Sequence, residues 1–184
     1  MKGRVSKIER RTKETDVSVS IGLDGDGKYD VECGNVFLKH MTETLSRYSS
    51  ADISMRAKGD DEHHLVEDAG LTLGMALKDA VGNGPIERMA TKTVVMDDAM
   101  VTVSIDIVDR PYAEIDCPDP LYHHFFRSLA MSSGMTLHIL VIRGFDDHHI
   151  IEASVKALGK CLREAVKKRG TELSTKDKAS VKGV

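Results

Sequence analysis

His63-His64-Leu65-Val66-Glu67 and His148-His149-Ile150-Ile151-Glu152 are one pattern written twice in the chain. Each copy reads as the start of a helix, where residues three and four apart share a face, so one histidine and the glutamate can reach a single ion together. Adjacent histidines point about 100° apart on a helix. The two imidazoles of each pair therefore serve different ions, or one of them serves an ion held by the other copy. Imidazole nitrogen with carboxylate oxygen suits manganese, iron, zinc or cobalt, and the absence of cysteine from either cluster argues against a structural zinc finger.

The match runs beyond the ligands. His63, His64, Glu67, Leu73, Gly74, Leu77, Ala80 and Val81 recur as His148, His149, Glu152, Leu158, Gly159, Leu162, Ala165 and Val166. Agreement along a whole helix marks internal duplication, and with only two copies a solenoid is disfavoured. The expected fold class is α+β: two halves, each a β-sheet with its helices on one face. The halves are expected at residues 1 to 85 and 86 to 170, followed by a tail from 171 to 184.

Outward from the first copy, apolar and small polar residues alternate in Asp16-Val17-Ser18-Val19-Ser20-Ile21-Gly22-Leu23, the period of a half-buried strand. Asp24-Gly25-Asp26-Gly27 is turn chemistry, and residues 28 to 32 are expected to return as the second arm of a hairpin. Phe37, Met41, Leu45 and Tyr48 have helical spacing, which places His40 on a helix. Residues 52 to 58 alternate again, and the His63 helix should run to about Val81, where Gly82-Asn83-Gly84-Pro85 stops it. The half therefore reads strand, strand, helix, strand, helix. The second half answers with a strand at 101 to 105, a helix at 122 to 130 and a strand at 136 to 142. His138 lies in that last strand with Ile53 as its expected counterpart, and by pattern alone it would be a core histidine. His123 and His124 have no glutamate three or four residues on and read as surface or interface histidines.

The 184 residues carry 26 basic and 29 acidic side chains, a net charge of -3, which provides no general polycation for nucleic acid. A small partner is expected, not a polymer. Cys33, Cys117 and Cys161 have no metal or redox spacing and suit buried thiols in a reducing cytoplasm. Neither a signal-type apolar segment nor a run of membrane-spanning length is present, so a soluble, cytoplasmic protein without membrane association is expected. With no tryptophan and 4% aromatics, the core must be aliphatic and rich in methionine.

Taken in order, TKET, HM at 40 and 41, HHLVED, VMDDAM, DRPY, TLHI, DHHIIEA and SVKGV cover nearly the whole chain and resemble the imidazoleglycerol-phosphate dehydratase family. The doubled His-His-x-x-Glu is the specific part. The resemblance implies a duplicated fold like the second domain of ribosomal protein S5, and self-association into a 24-subunit cage with active sites between subunits. It implies two manganese ions per site, with His40, His63, His64, Glu67, His138, His148, His149 and Glu152 as ligands. Substrate phosphate would fall to Arg88, Arg110 and Lys156 with a tail pair, either Ser180 and Lys182 or Ser174 and Lys176. Glu14 would be the acid/base carboxylate that meets the substrate, with His63, Glu67 and Glu152 completing the catalytic set; Asp97 and Asp98 form a second acidic group.

The implied reaction is dehydration of imidazole glycerol phosphate to imidazole acetol phosphate in histidine biosynthesis. No carbonyl activates the carbon that loses its proton, so the imidazole ring must accept the electrons, and flanking cations would stabilise it. Lys39 and Tyr48 stand where the family has an aspartate and a further histidine, and the loop before His63 is shorter. These departures touch the substrate pocket and motivate two alternatives: a lyase or hydrolase acting on another small phosphorylated compound, or a metal-binding assembly protein without catalysis.

Overall fold

The computed structural model describes residues 3–171 and 173; the tail candidates Ser174, Lys176, Ser180 and Lys182 lie outside the described residues. Twelve elements follow in order: β1 (Val5–Arg11), β2 (Thr15–Gly22), β3 (Tyr29–Cys33), α1 (Val36–Ser49), β4 (Asp52–Gly59), α2 (Glu62–Val81), β5 (Met89–Met96), β6 (Ala99–Ile107), β7 (Tyr112–Ile115), α3 (Pro120–Ser133), β8 (Met135–Arg143) and α4 (Asp147–Ala165). They form two four-stranded sheets, ordered β1-β2-β4-β3 and β5-β6-β8-β7. The halves are the same α+β design, each with three strands, not two, before its first helix.

The hairpin expected from Asp24-Gly25-Asp26-Gly27 does not form. β4 inserts antiparallel to β2, and β3 pairs with β4 in parallel. The turn instead crosses the sheet end: the Asp52 carboxylate accepts the Asp26 and Lys28 amides at 3.0 and 2.8 Å, and Gly27 takes φ 74°. Parallel pairing requires a crossover, which α1 supplies between β3 and β4 and α3 between β7 and β8. All four helices consequently start from the same end of their strands.

α1 packs on β3 and β4, α2 on β1 and β2, α3 on β7 and β8, and α4 on β5 and β6. The helix layers then meet as two pairs, α1 with α4 and α2 with α3, around one continuous core. The core is aliphatic with buried Met41, Met55 and Met135, as expected from composition. Gly74 and Gly159 sit at close helix approaches: a Cβ on Gly74 would stand 2.6 Å from the Leu129 carbonyl oxygen, and one on Gly159 would stand 2.8 Å from Tyr48 Cβ. That is why glycine recurs in both copies of the pattern.

Strand register corrects one correspondence. Ile21 faces Ile53 in the first sheet and Ile105 faces Leu137 in the second, so the counterpart of His138 is Ser54, not Ile53. A one-residue shift exchanges the faces of a strand. Leu137 and Ile53 point into the core, whereas His138 is exposed on the outer face. No helix among the described residues is long and apolar enough to cross a membrane.

Candidate metal centre

The four helix N-termini converge. Each is capped by a short polar side chain: Asn35 accepts from the Leu38 amide, Asp61 from His63, Asp119 from Leu121 and Asp146 from His148. Cross-contacts join the ends. Asn35 donates to Glu62, Phe37 meets Tyr122 edge to face at 4.8 Å and His148 at 4.7 Å, and His63 meets His124 at 5.0 Å between ring centroids. The doubled motif therefore fills one end of the molecule because it begins two of four helices that start side by side.

His40 from α1 joins His148 and Glu152 from α4. Their donor atoms all lie within 4.8 Å of one another, with both histidine Nε2 atoms near Glu152 Oε2 at 3.5 and 3.4 Å. Glu152 is buried beneath the two exposed rings. Burial alone would raise its pKa, but the hydrogen bond from Lys156 Nζ at 2.8 Å and the neighbouring charges outweigh it and hold the carboxyl below its ordinary range. Lys156 also lies over the Tyr48 ring, 5.7 Å from its centroid. Glu152 is thus an ionised oxygen donor below two imidazole nitrogens, a set that fits a borderline divalent cation.

The other half repeats part of this arrangement. His63 Nε2 is 3.7 Å from Glu67 Oε2 on the same face of α2. His64 and His149, turned away from their neighbours as helical spacing requires, each find a carboxylate. His64 Nδ1 lies 3.0 Å from Asp60 Oδ1, and His149 Nδ1 lies 2.5 Å from Asp98 Oδ1. Each contact raises the histidine pKa and lowers that of its partner. The His149 hydrogen bond, with those from the Phe145 and Asp146 amides, pulls Asp98 to about 2. Asp97 faces the other nitrogen of His149, Nε2, at 3.4 Å. Glu14, in the β1–β2 turn, accepts the Asp60 amide on its carbonyl at 3.0 Å, and its carboxylate contributes to raising the His64 pKa. Asp97 and Asp98 occupy the corresponding β5–β6 turn.

Three expected residues lie elsewhere. His138 is on the outer face of β8, beside the Tyr112 ring at 5.6 Å, with its sheet between it and the helices. Arg88 opens β5 beside the end of α4, where its amide donates to the Ala165 carbonyl and its guanidinium grips Asp106 through Nε and Nη2 at 2.6 and 2.9 Å. Its φ of 70° is a left-handed conformation costly to a side-chain-bearing residue. Arg110 is exposed next to Asp109, which pairs with Lys78 near the end of α2. From His63 to Lys78 the helix rises about 22 Å at 1.5 Å per residue. Within one chain the arginines and the metal-type cluster occupy opposite ends of the helices.

Asp60 and His124 escape the motif reading, which singles out Asp98 only as part of an acidic pair, without its histidine. Asp60 and Asp98 were visible only as acidic residues near strand ends, since contact with a histidine ring is not a spacing signal. His124 lacks a following glutamate, but it stands on α3 where His40 stands on α1: both are the fifth residue of a 14-residue helix. The duplication carried that signal. Of the cysteines expected to be buried, Cys161 is buried and Cys33 and Cys117 are half-buried, with Cys117 and Cys161 pushed up to about 11 by burial.

Comparison with known proteins agrees with the motifs. The family model described as imidazoleglycerol-phosphate dehydratase matches residues 33–162. An imidazoleglycerol-phosphate dehydratase of Desulforamulus reducens is 42% identical over 182 residues, covering 91% of this chain and 93% of that protein. One from Clostridium botulinum is 43% identical, covering 90% and 92%. The crystal structure of the Pyrococcus furiosus protein in complex with (S)-C348 superposes with a TM-score of 0.82 at 36% identity, covering 91% of this chain and 98% of that one. The Staphylococcus aureus enzyme gives 0.79 at 28% identity, covering 90% and 99%. With more than half the chain matched and relatives above 40% identity across almost all of it, the chain belongs to the imidazoleglycerol-phosphate dehydratase family of hydro-lyases.

Proposed function

We propose that this protein dehydrates imidazole glycerol phosphate to imidazole acetol phosphate in a manganese-dependent step of histidine biosynthesis. The observation that carries the reading is the convergence of His40, His148 and Glu152, donors of the chemistry a manganese site needs, on helices whose sequence matches the family. His63, His64, Glu67, His149 and His138 would complete the set for two ions. When bound, the cations supply Lewis-acid stabilisation to the substrate ring as it takes up electrons.

The chain's own residues do the rest. Glu14 would accept the proton from carbon and return one to the departing hydroxyl, so that water leaves and the atoms balance. Asp60 and Asp98 hold Nδ1 of His64 and His149, which orients each ring and would leave Nε2 as the nitrogen for an ion, with Asp97 beside that atom in His149. Lys156 keeps Glu152 ionised and adds positive charge beside Tyr48. Arg88 and Arg110 would hold the phosphate.

Because the arginines and His138 stand far from the helix N-termini, a complete centre would draw residues from more than one copy. This separation supports active sites shared between copies, the arrangement of the 24-subunit cage that the family resemblance implies. The protein would work in the cytoplasm.

Turnover of imidazole glycerol phosphate by metal-stripped protein, before and after manganese is restored, tests the proposal. Ketone product only after manganese is the expected outcome. Protein that binds the metal but leaves this substrate untouched would move the assignment to another phosphorylated compound.

A further inference from the structure

The duplicated fold pairs α1 with α4 and α2 with α3. At the first pair, His40 on α1 leans over His148 and Glu152 on α4, with the imidazole centroids 6.3 Å apart. At the second pair, His124 on α3 leans over His63 on α2, whose partner on the same face is Glu67. His124 occupies the same position of α3 that His40 occupies of α1. Its ring is closer to His63, at 5.0 Å, and nearly perpendicular to it, at 72°. Among the described residues the first trio alone brings three donor atoms within 4.8 Å. His124 is only partly buried, so a side-chain rotation, a fast event for such a residue, can bring a nitrogen toward the His63–Glu67 face.

We infer that His124 is the third donor, with His63 and Glu67, of a second cation centre at the α2–α3 pair. The inference rests on the reading of these helix ends as metal-binding and adds a ligand to it. Three donors on two packed helices form a chelate that a single chain can offer before any neighbour contributes. The remaining coordination positions are left for a second copy or for substrate. The competing role is ring packing alone, in which His124 braces His63 without touching an ion.

A phenylalanine separates the two roles, since it keeps an aromatic edge against His63 and removes the nitrogens. Manganese titration of full-length chains, followed by the electron paramagnetic resonance of the free ion, should resolve two classes of site in the parent. His124→Phe should weaken one class about tenfold or more and leave the other intact. His40→Phe should weaken the complementary class, and the double variant both. If His124→Phe titrates like the parent while His63→Ala loses a class, the ligand role is wrong and the metal reading stands. If the parent takes up no manganese, both fall together. Should His124→Phe fail to fold by circular dichroism, His124→Gln replaces it: weakened uptake supports the inference and parental uptake overturns it.

Discussion

Asp98 holds Nδ1 of His149 and leaves Nε2, beside Asp97, as the nitrogen for an ion. Its carboxylate accepts from Nδ1 at 2.5 Å and is itself anchored by two backbone amides, so Nδ1 keeps the proton and Nε2 is left as the donor atom. Asp98→Ala should therefore lower manganese affinity about 10- to 100-fold. Asp98→Asn, which keeps an acceptor oxygen, should fall between variant and parent in calorimetric titration. Equal affinities for all three would remove the positioning role. Glu14 gives the opposite signature. Glu14→Gln should retain manganese binding and lose turnover, because it leaves the helix-end ligands in place. At this scale the repeat showed six of the ligand candidates and the family resemblance added His40 and His138, and the structure gathers His40, His148 and Glu152 into one cluster. The carboxylates behind His64 and His149 were hidden because they come from a loop and a turn outside the repeated spacing.

Among elements, the close helix pairs carry the clearest mechanical consequence. Alanine is ordinarily the better helix former than glycine by up to about 1 kcal/mol. At Gly159, however, the added carbon would meet Tyr48 Cβ at 2.8 Å. Overpacking of this kind typically costs about 1–3 kcal/mol, so Gly159→Ala should lower the denaturant midpoint, whereas Gly84→Ala, with nothing within 4 Å, should not. A midpoint for Gly159→Ala equal to or above the parent's would contradict the packing account. The helices and the central strands β2, β4, β6 and β8 were readable because burial imposes a period on them. β1 was not. Its sequence VSKIERR is an edge strand with charged residues pointing outward, and Arg10 is spent on the buried Asp68. The absent hairpin has a similar cause: the turn residues were recognised, but the strand that β3 joins is set by the α1 crossover, which no local signal reports.

Across the whole molecule, Arg4 ties the first half to the second. It binds Asp24 through two nitrogens and donates to the Val166 carbonyl just beyond α4. That pairing pulls the Asp24 carboxyl down to about 2. A carboxylate whose folded pKa lies below its unfolded value adds stability above the unfolded value, and that stability is lost as pH falls through the folded one. The loss should therefore run from about pH 4 to pH 2. Asp24 is substantially exposed, so the effect is small, about 1 kcal/mol or less. Acid unfolding of Asp24→Asn should be less steep than the parent's across that range, and parallel curves would show that the pair contributes nothing.

The largest feature at this scale is the separation of the helix-end cluster from Arg88, Arg110 and His138, which one chain cannot close. The most direct measurement is complementation between two inactive chains, one carrying Glu152→Ala and the other Arg88→Met. The two are unfolded, mixed and reassembled with manganese, and turnover of imidazole glycerol phosphate is assayed. If cluster and arginine meet between copies, mixed assemblies contain some interfaces with both residues intact, and a substantial fraction of activity returns. Mixed assemblies that form fully yet stay as inactive as either parent chain would contradict a centre shared between copies.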